Sequence, residues 1–140
     1  MTTTRTALRL THEGARLLLD TAVAHAEAMR VPQCIAIVDE GCNLMAFMRM
    51  DGARVLSIKS SQRKAMTAAT TGKPTGGLDP AVETKLAIAT DGDMINLKGG
   101  LPIIVDGHVI GGIGIGSGTG EQDLEVAKAA LKRFPKAQTF

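Results

Sequence analysis

The sequence predicts an α+β domain in the order helix, hairpin, helices, hairpin, helix. Two observations carry this. Apolar residues recur at helical spacing near both ends of the chain, and two inner segments read as strand, turn, strand. With 140 residues the chain is expected to form a single domain, residues 1–140, large enough for a core and small enough to gain from oligomerisation.

The first helix follows from "LTHEGARLLLDTAVAHAEAMR", where Ala15, Leu18, Leu19, Ala22, Val23, Ala26 and Met29 form one apolar stripe and Thr11 stands where a cap is needed. "QCIAIVDEGCNLMAFMRM" reads as two strands joined at Glu40-Gly41-Cys42. Both strands are apolar on both faces, so the sheet is expected to be covered on both sides, by its own helices and in addition by another subunit. A helix follows from Ser57, with that serine as its expected cap and Gly72 as its stop; after the loop "KPTGGLDP" comes a short helix in "AVETKLAIAT". "LPIIVDGHVIGGIGI" is a second hairpin. Its turn is Asp106-Gly107, a pair suited to positive φ, and His108 should lie exposed beside it. The last helix runs from Thr119 to Phe134 with Leu124, Ala127, Leu131 and Phe134 as its expected buried stripe. Thr119 and Gln122 have capping-box spacing.

Composition excludes several classes. No apolar run approaches the ~18 residues of a membrane span, and "MTTTRTALRLTHEGA" lacks the pattern of an export signal. A cytoplasmic location is therefore expected, and in that reducing compartment Cys34 and Cys42 are read as buried thiols. Sixteen basic against fourteen acidic residues leave a net charge of +2 with both signs interspersed. Without a basic stripe, and with only Phe47, Phe134 and Phe140 as aromatics, nucleic acid is not an expected partner.

The residues able to carry chemistry fall into four groups. Glycines at 111, 112, 114, 116, 118 and 120 fit no phosphate-loop pattern, and Glu121 and Asp123 would repel a phosphate there. Alternate glycines such as Gly112 and Gly114 admit either a packed backbone or a flat ligand. No metal-ligand spacing is present, so no dedicated metal site is expected. His12 and His25 are surface histidines by default, with axial ligation of a haem as their alternative use. Met45, Met48 and Met50 share a strand, and alternation sends Met45 to one face and the other two to the opposite one. The fourth group is charged. In "RMDGARVLSIKSSQRKAMTAATTGKPT", Arg49 and Asp51 end a strand and Lys64 lies on the next helix, while Asp39 closes the neighbouring strand. These charges either converge on a ligand or form surface ion pairs.

"IAIVDEGCNLMAFMRMDGA", "RKAMTAATTGKPT" and "GGLPIIVDGHVIGGIGIGSGTGEQDLEVAKAAL" together resemble the successive blocks of the GlcG/HbpS-like family, which includes the C-terminal domain of PduO-type proteins. The resemblance covers roughly residues 8–134. It implies an antiparallel sheet flanked by helices, assembly into higher oligomers, often octamers, and binding of haem or a corrinoid. Matching positions are Asp39, Gly41, Arg49, Asp51 and Gly52, then Lys64, Ala65 and Thr75, then Gly99, Gly100, Pro102, Gly112, Gly114, Glu121, Gln122 and Asp123. One departure is the turn Gly116-Ser117-Gly118-Thr119, where the family commonly has V-S-G-G.

Two functions fit this reading. The first is an oligomeric tetrapyrrole-binding protein, in which Gly112 and Gly114 accept the flat ring, Arg49, Arg63 or Lys64 pair with its side chains, and His25 or His12 supplies an axial ligand. Asp39, Asp51, Thr75, Gly99 and Gly100 would complete the ligand site. The second is an isomerase, tautomerase or lyase acting on a small carboxylate: Arg49 clamps the carboxylate, Lys64 polarises the carbonyl or acts as base, and Glu121 or Asp123 moves the proton. A third, purely structural reading makes the glycine strand a subunit interface.

Overall fold

The computed structural model describes all 140 residues and has the expected architecture, an antiparallel sheet flanked by helices. Helix α1 spans His12–Met29, and the Thr11 side chain accepts from the Gly14 N–H at 3.1 Å, as a cap should. Strands β1 (Cys34–Asp39) and β2 (Leu44–Arg49) form the first hairpin. Helices α2 (Ser57–Thr71) and α3 (Pro80–Ala89) follow, then strands β3 (Gly100–Val105) and β4 (His108–Gly116) and helix α4 (Gly120–Arg133). The strand order is β2-β1-β4-β3, with every neighbouring pair antiparallel.

The order of the sheet follows from burial. β1 and β4 lie at its centre, and a strand with neighbours on both edges and helices on both faces must be apolar on both faces. Ile35, Ile37, Ile113 and Ile115 point into the larger core with Leu101 and Ile103. That core is closed by Leu18, Ala22 and Ala26 of α1 and by Val126, Ala127, Ala130 and Leu131 of α4. On the opposite face Ala36 and Val38 meet Ala65 and Ala69 of α2.

The glycine strand explains the second face. A Cβ on Gly112 would collide with the Ala65 carbonyl, and one on Gly114 with the Ser61 carbonyl. Two side chains of hydrogen thus let the α2 backbone rest on β4. Of the two uses open to these glycines, the close backbone is the one realised: α2 covers them, so neither a flat ligand nor a second subunit can lie there.

Four local expectations need correction. β2 is an edge strand beyond the reach of most of α2, so Leu44 and Met48 are exposed rather than covered. A β-bulge between Ile37 and Val38 breaks the simple alternation, and Met45 and Met50 both pack against the larger core. Ser57 is inside α2, not its cap; Leu56 precedes the helix and makes no side-chain capping bond. In α4 the buried stripe is Asp123, Val126, Ala127, Ala130 and Leu131, with Leu124 and Phe134 only half-buried, because the helix is turned toward the β3–β4 face and α1. Helix α3 buries none of its residues, and Val82 and Ile88 stand exposed on it. No helix is long and apolar enough to cross a membrane.

Candidate functional site

The chemistry-bearing residues separate into an interior group and an exterior group. Inside, Lys64 leaves α2 and donates to the Asp123 Oδ2 of α4 at 2.9 Å and to the Ile115 carbonyl of β4 at 2.8 Å. The two side chains are 6% and 3% exposed. Asp123 Oδ1 accepts from the Gly118 N–H at 3.0 Å. Charges this deep persist only when paired and hydrogen-bonded, which both are.

Thr75, Gly99 and Gly100 wrap this pair. Gly99, at φ +123, passes so close that a Cβ would come within 3.1 Å of Lys64 Nζ and closer still to Asp123 Cβ and the Ile115 carbonyl. Gly100 donates to Thr75 Oγ1 at 2.8 Å, and Thr75 donates back to the Gly100 carbonyl at 2.9 Å. Five predicted site residues therefore do converge. They form a sealed staple joining α2, α4 and the end of the β3–β4 ladder, and Lys64 directs two of its three N–H donors to partners inside it.

The other predicted charges go elsewhere. In the β1–β2 register Arg49 faces Cys34, whereas Asp39 lies at the far end of the same strand. An antiparallel hairpin thus separates the two residues it was expected to unite. Arg49 and Asp51 are exposed. Asp39 shapes the turn, accepting from the Gly41 and Asn43 N–H groups at 2.9 Å each and from the Asn43 side chain at 3.1 Å. Burial pulls its carboxyl upward, but these hydrogen bonds and the nearby Arg9 outweigh it and leave the group below the usual carboxylate range. Arg63 approaches Asp93 at 3.9 Å. Glu121 is exposed and pairs with Lys98, whose hydrogen bond and charge hold its carboxyl below the ordinary value. Both cysteines are free; burial raises the Cys34 thiol against the opposing pull of Arg49.

Outside, a groove of about 1110 Å³ runs between α1 and α4. His25 stands in it, half-buried, with Nε2 3.3 Å from Glu125 Oε1. Ala24, Ala28, Leu124 and Ala129 are among its lining, small or apolar side chains that leave a broad floor. Lys128, Lys132 and Arg133 supply cations, and Asp20 and Glu121 supply carboxylates. His12 is exposed in the first turn of α1, thirteen residues before His25. At 1.5 Å rise per residue that is roughly 20 Å along the helix, so the two histidines cannot share one ligand atom.

Sequence reasoning missed the groove's Glu125, Lys128, Lys132 and Arg133 as a set. Their signal was present as the i, i+3 and i+4 spacing of the outward face of α4, opposite the Ala24/Ala28 pair of α1.

The sequence pattern of the family described as "Haem degrading protein HbpS-like" matches residues 10–132. Protein GlcG of Escherichia coli K12 is 35% identical over 112 residues, covering 79% of this chain and 84% of GlcG. Corrinoid adenosyltransferase PduO of Citrobacter freundii is 31% identical over 130 residues, 89% of this chain but 39% of that longer protein. Among solved structures, Klebsiella pneumoniae protein ORFY superposes with a TM-score of 0.90 at 30% identity, covering 96% of each chain. A complex of PduOC with haem gives a TM-score of 0.85 at 28% identity over 94% of this chain and 99% of that one.

Proposed function

This chain belongs to the HbpS-like family, and on that premise we propose that it binds a tetrapyrrole, haem or a corrinoid, in the groove between α1 and α4. The observation that carries the reading is His25: an imidazole, half-exposed, set in a large groove that also holds three cations and a small-residue floor. The relatives support the ligand class, since one is solved with haem and another is named for corrinoid chemistry.

The groove residues suit such a ligand. Ala24, Ala28 and Leu124 provide apolar contact for a flat ring, and Lys128, Lys132 and Arg133 offer charge-assisted hydrogen bonds to peripheral carboxylates. In this assignment His25 would hold the tetrapyrrole's metal; Glu125 accepts from Nε2 and leaves Nδ1 as the lone-pair donor. Once bound, the tetrapyrrole's metal supplies any redox or group-transfer chemistry. The chain's own part is to hold, orient and screen the ring.

The proposal includes assembly into a homo-oligomer, with the octamer as its expected form. It is supported by α3, which buries nothing in the monomer, and by the exposed apolar side chains Val55, Leu56, Ile88 and Leu97. A single domain, one sheet with its two packed faces, and a reducing, cytoplasmic setting for the two free thiols complete the reading.

The test is an absorption titration of the purified chain with hemin and with cobalamin. With no Trp or Tyr, the protein background in the near ultraviolet is minimal. A saturable, stoichiometric band that shifts in His25→Ala is expected. Uptake without saturation would reject the site, and an identical band in His25→Ala would reject His25 as the ligand.

A further inference from the structure

Gln33 is fully buried just before β1, and its backbone is satisfied: the carbonyl accepts from the Met50 N–H at 3.0 Å, and its N–H donates to Met50 Sδ at 3.4 Å. Its side chain is not. Neither Nε2 nor Oε1 has a partner among the protein atoms. A buried amide in that state is costly unless a further group satisfies it.

The amide is aimed at the staple. Nε2 of Gln33 and Oδ1 of Asp123 each lie 2.8 Å from the point where a Cβ on Gly118 would stand. They are therefore less than two hydrogen-bond lengths apart, yet no direct bond joins them. Asp123 Oδ1 accepts only from the Gly118 N–H and retains a free lone pair. What could sit between must accept from an amide N–H and donate to a carboxylate oxygen. Lys64 already neutralises Asp123, so a charged occupant gains little, and the side chains of Gln33 and Asp123 are both buried.

We propose that Gln33 and Asp123 hold an internal water between them, a binding site that extends the Lys64–Asp123 staple to the start of β1. The water accepts from Gln33 Nε2 and donates to Asp123 Oδ1. It links α2, α4 and β1 through polar groups that would otherwise lie within the fold unjoined. The glycine at 118 belongs to the same design, because any side chain there would intrude on both of the water's partners.

A high-resolution crystal structure of the wild-type chain should show a water within hydrogen-bond distance of both atoms. Dry density, or a Gln33 side chain turned to a protein partner, would overturn the proposal. Thermal unfolding of Gln33→Leu gives an independent reading by its sign. Loss of the bridged network should lower Tm by about 3–6 °C. A rise would mean that the amide had been buried without a partner, since its removal would then relieve a penalty. If Gln33→Leu fails to fold, the wild-type density alone decides.

Discussion

Replacing Asp123 by alanine should destabilise the protein severely while leaving every helix and strand with its own local signals. The change removes the carboxylate that receives Lys64 at 2.9 Å and the Gly118 N–H at 3.0 Å, and leaves an ammonium whose side chain is 6% exposed with only the Ile115 carbonyl. Breaking one side of a buried pair costs about 3–5 kcal/mol. Native stability is typically about 5–15 kcal/mol, so a fifth or more of it is at stake. Urea unfolding followed by far-ultraviolet circular dichroism is the suitable assay, because the chain has no Trp or Tyr to report by fluorescence. The midpoint should fall strongly with little change in slope. The double variant Lys64→Met, Asp123→Leu separates charge from packing: with both charges removed, most of the loss should be recovered, since apolar replacements of buried pairs are often neutral or better. A loss below about 1 kcal/mol for Asp123→Ala, the range of an exposed pair, would refute the sealed staple. So would a double variant as unstable as the sum of its two single changes.

Gly114→Ala should cost about 1–3 kcal/mol by overpacking, because its Cβ would enter the Ser61 carbonyl; an unchanged Tm would show that α2 does not rest on β4 as described. Asp39 carries a pH signature. Its folded carboxyl lies below the ordinary value, so its contribution is present above the unfolded pKa, near 3.9, and is lost as pH falls through the lower folded one. Asp39→Asn should therefore reduce stability at neutral pH and flatten the acid limb of a urea-midpoint profile taken from about pH 6 downward. A variant profile parallel to wild type would remove that role.

How much was legible beforehand depended on distance along the chain. Thr11, the Thr119–Gln122 box, Gly72 and Asp106-Gly107 each act on backbone groups a few residues away, and each does in the structure what its type and position predict. Helical period was equally legible in α4, but its phase was not. Whether Leu124 or Val126 faces inward depends on where α1 and the sheet stand, and only packing fixes that.

The site was less legible for the same reason. The resemblance marked Lys64, Thr75, Gly99, Gly100 and Asp123, yet nothing in their spacing distinguished a ligand pocket from an interior staple. Lys64 meets Asp123 across 59 positions and His25 meets Glu125 across 100. The sequence by itself determined the elements, their order and the family, because local hydrogen bonding, steric preference and apolar period are written within a turn or a strand. Tertiary structure alone decided which charges became buried partners, that α2 covers the glycine strand, and that the accessible groove lies on the other side of the sheet with His25. Those outcomes follow from close packing of elements distant in the chain, where one backbone resting on another determines what remains open to solvent.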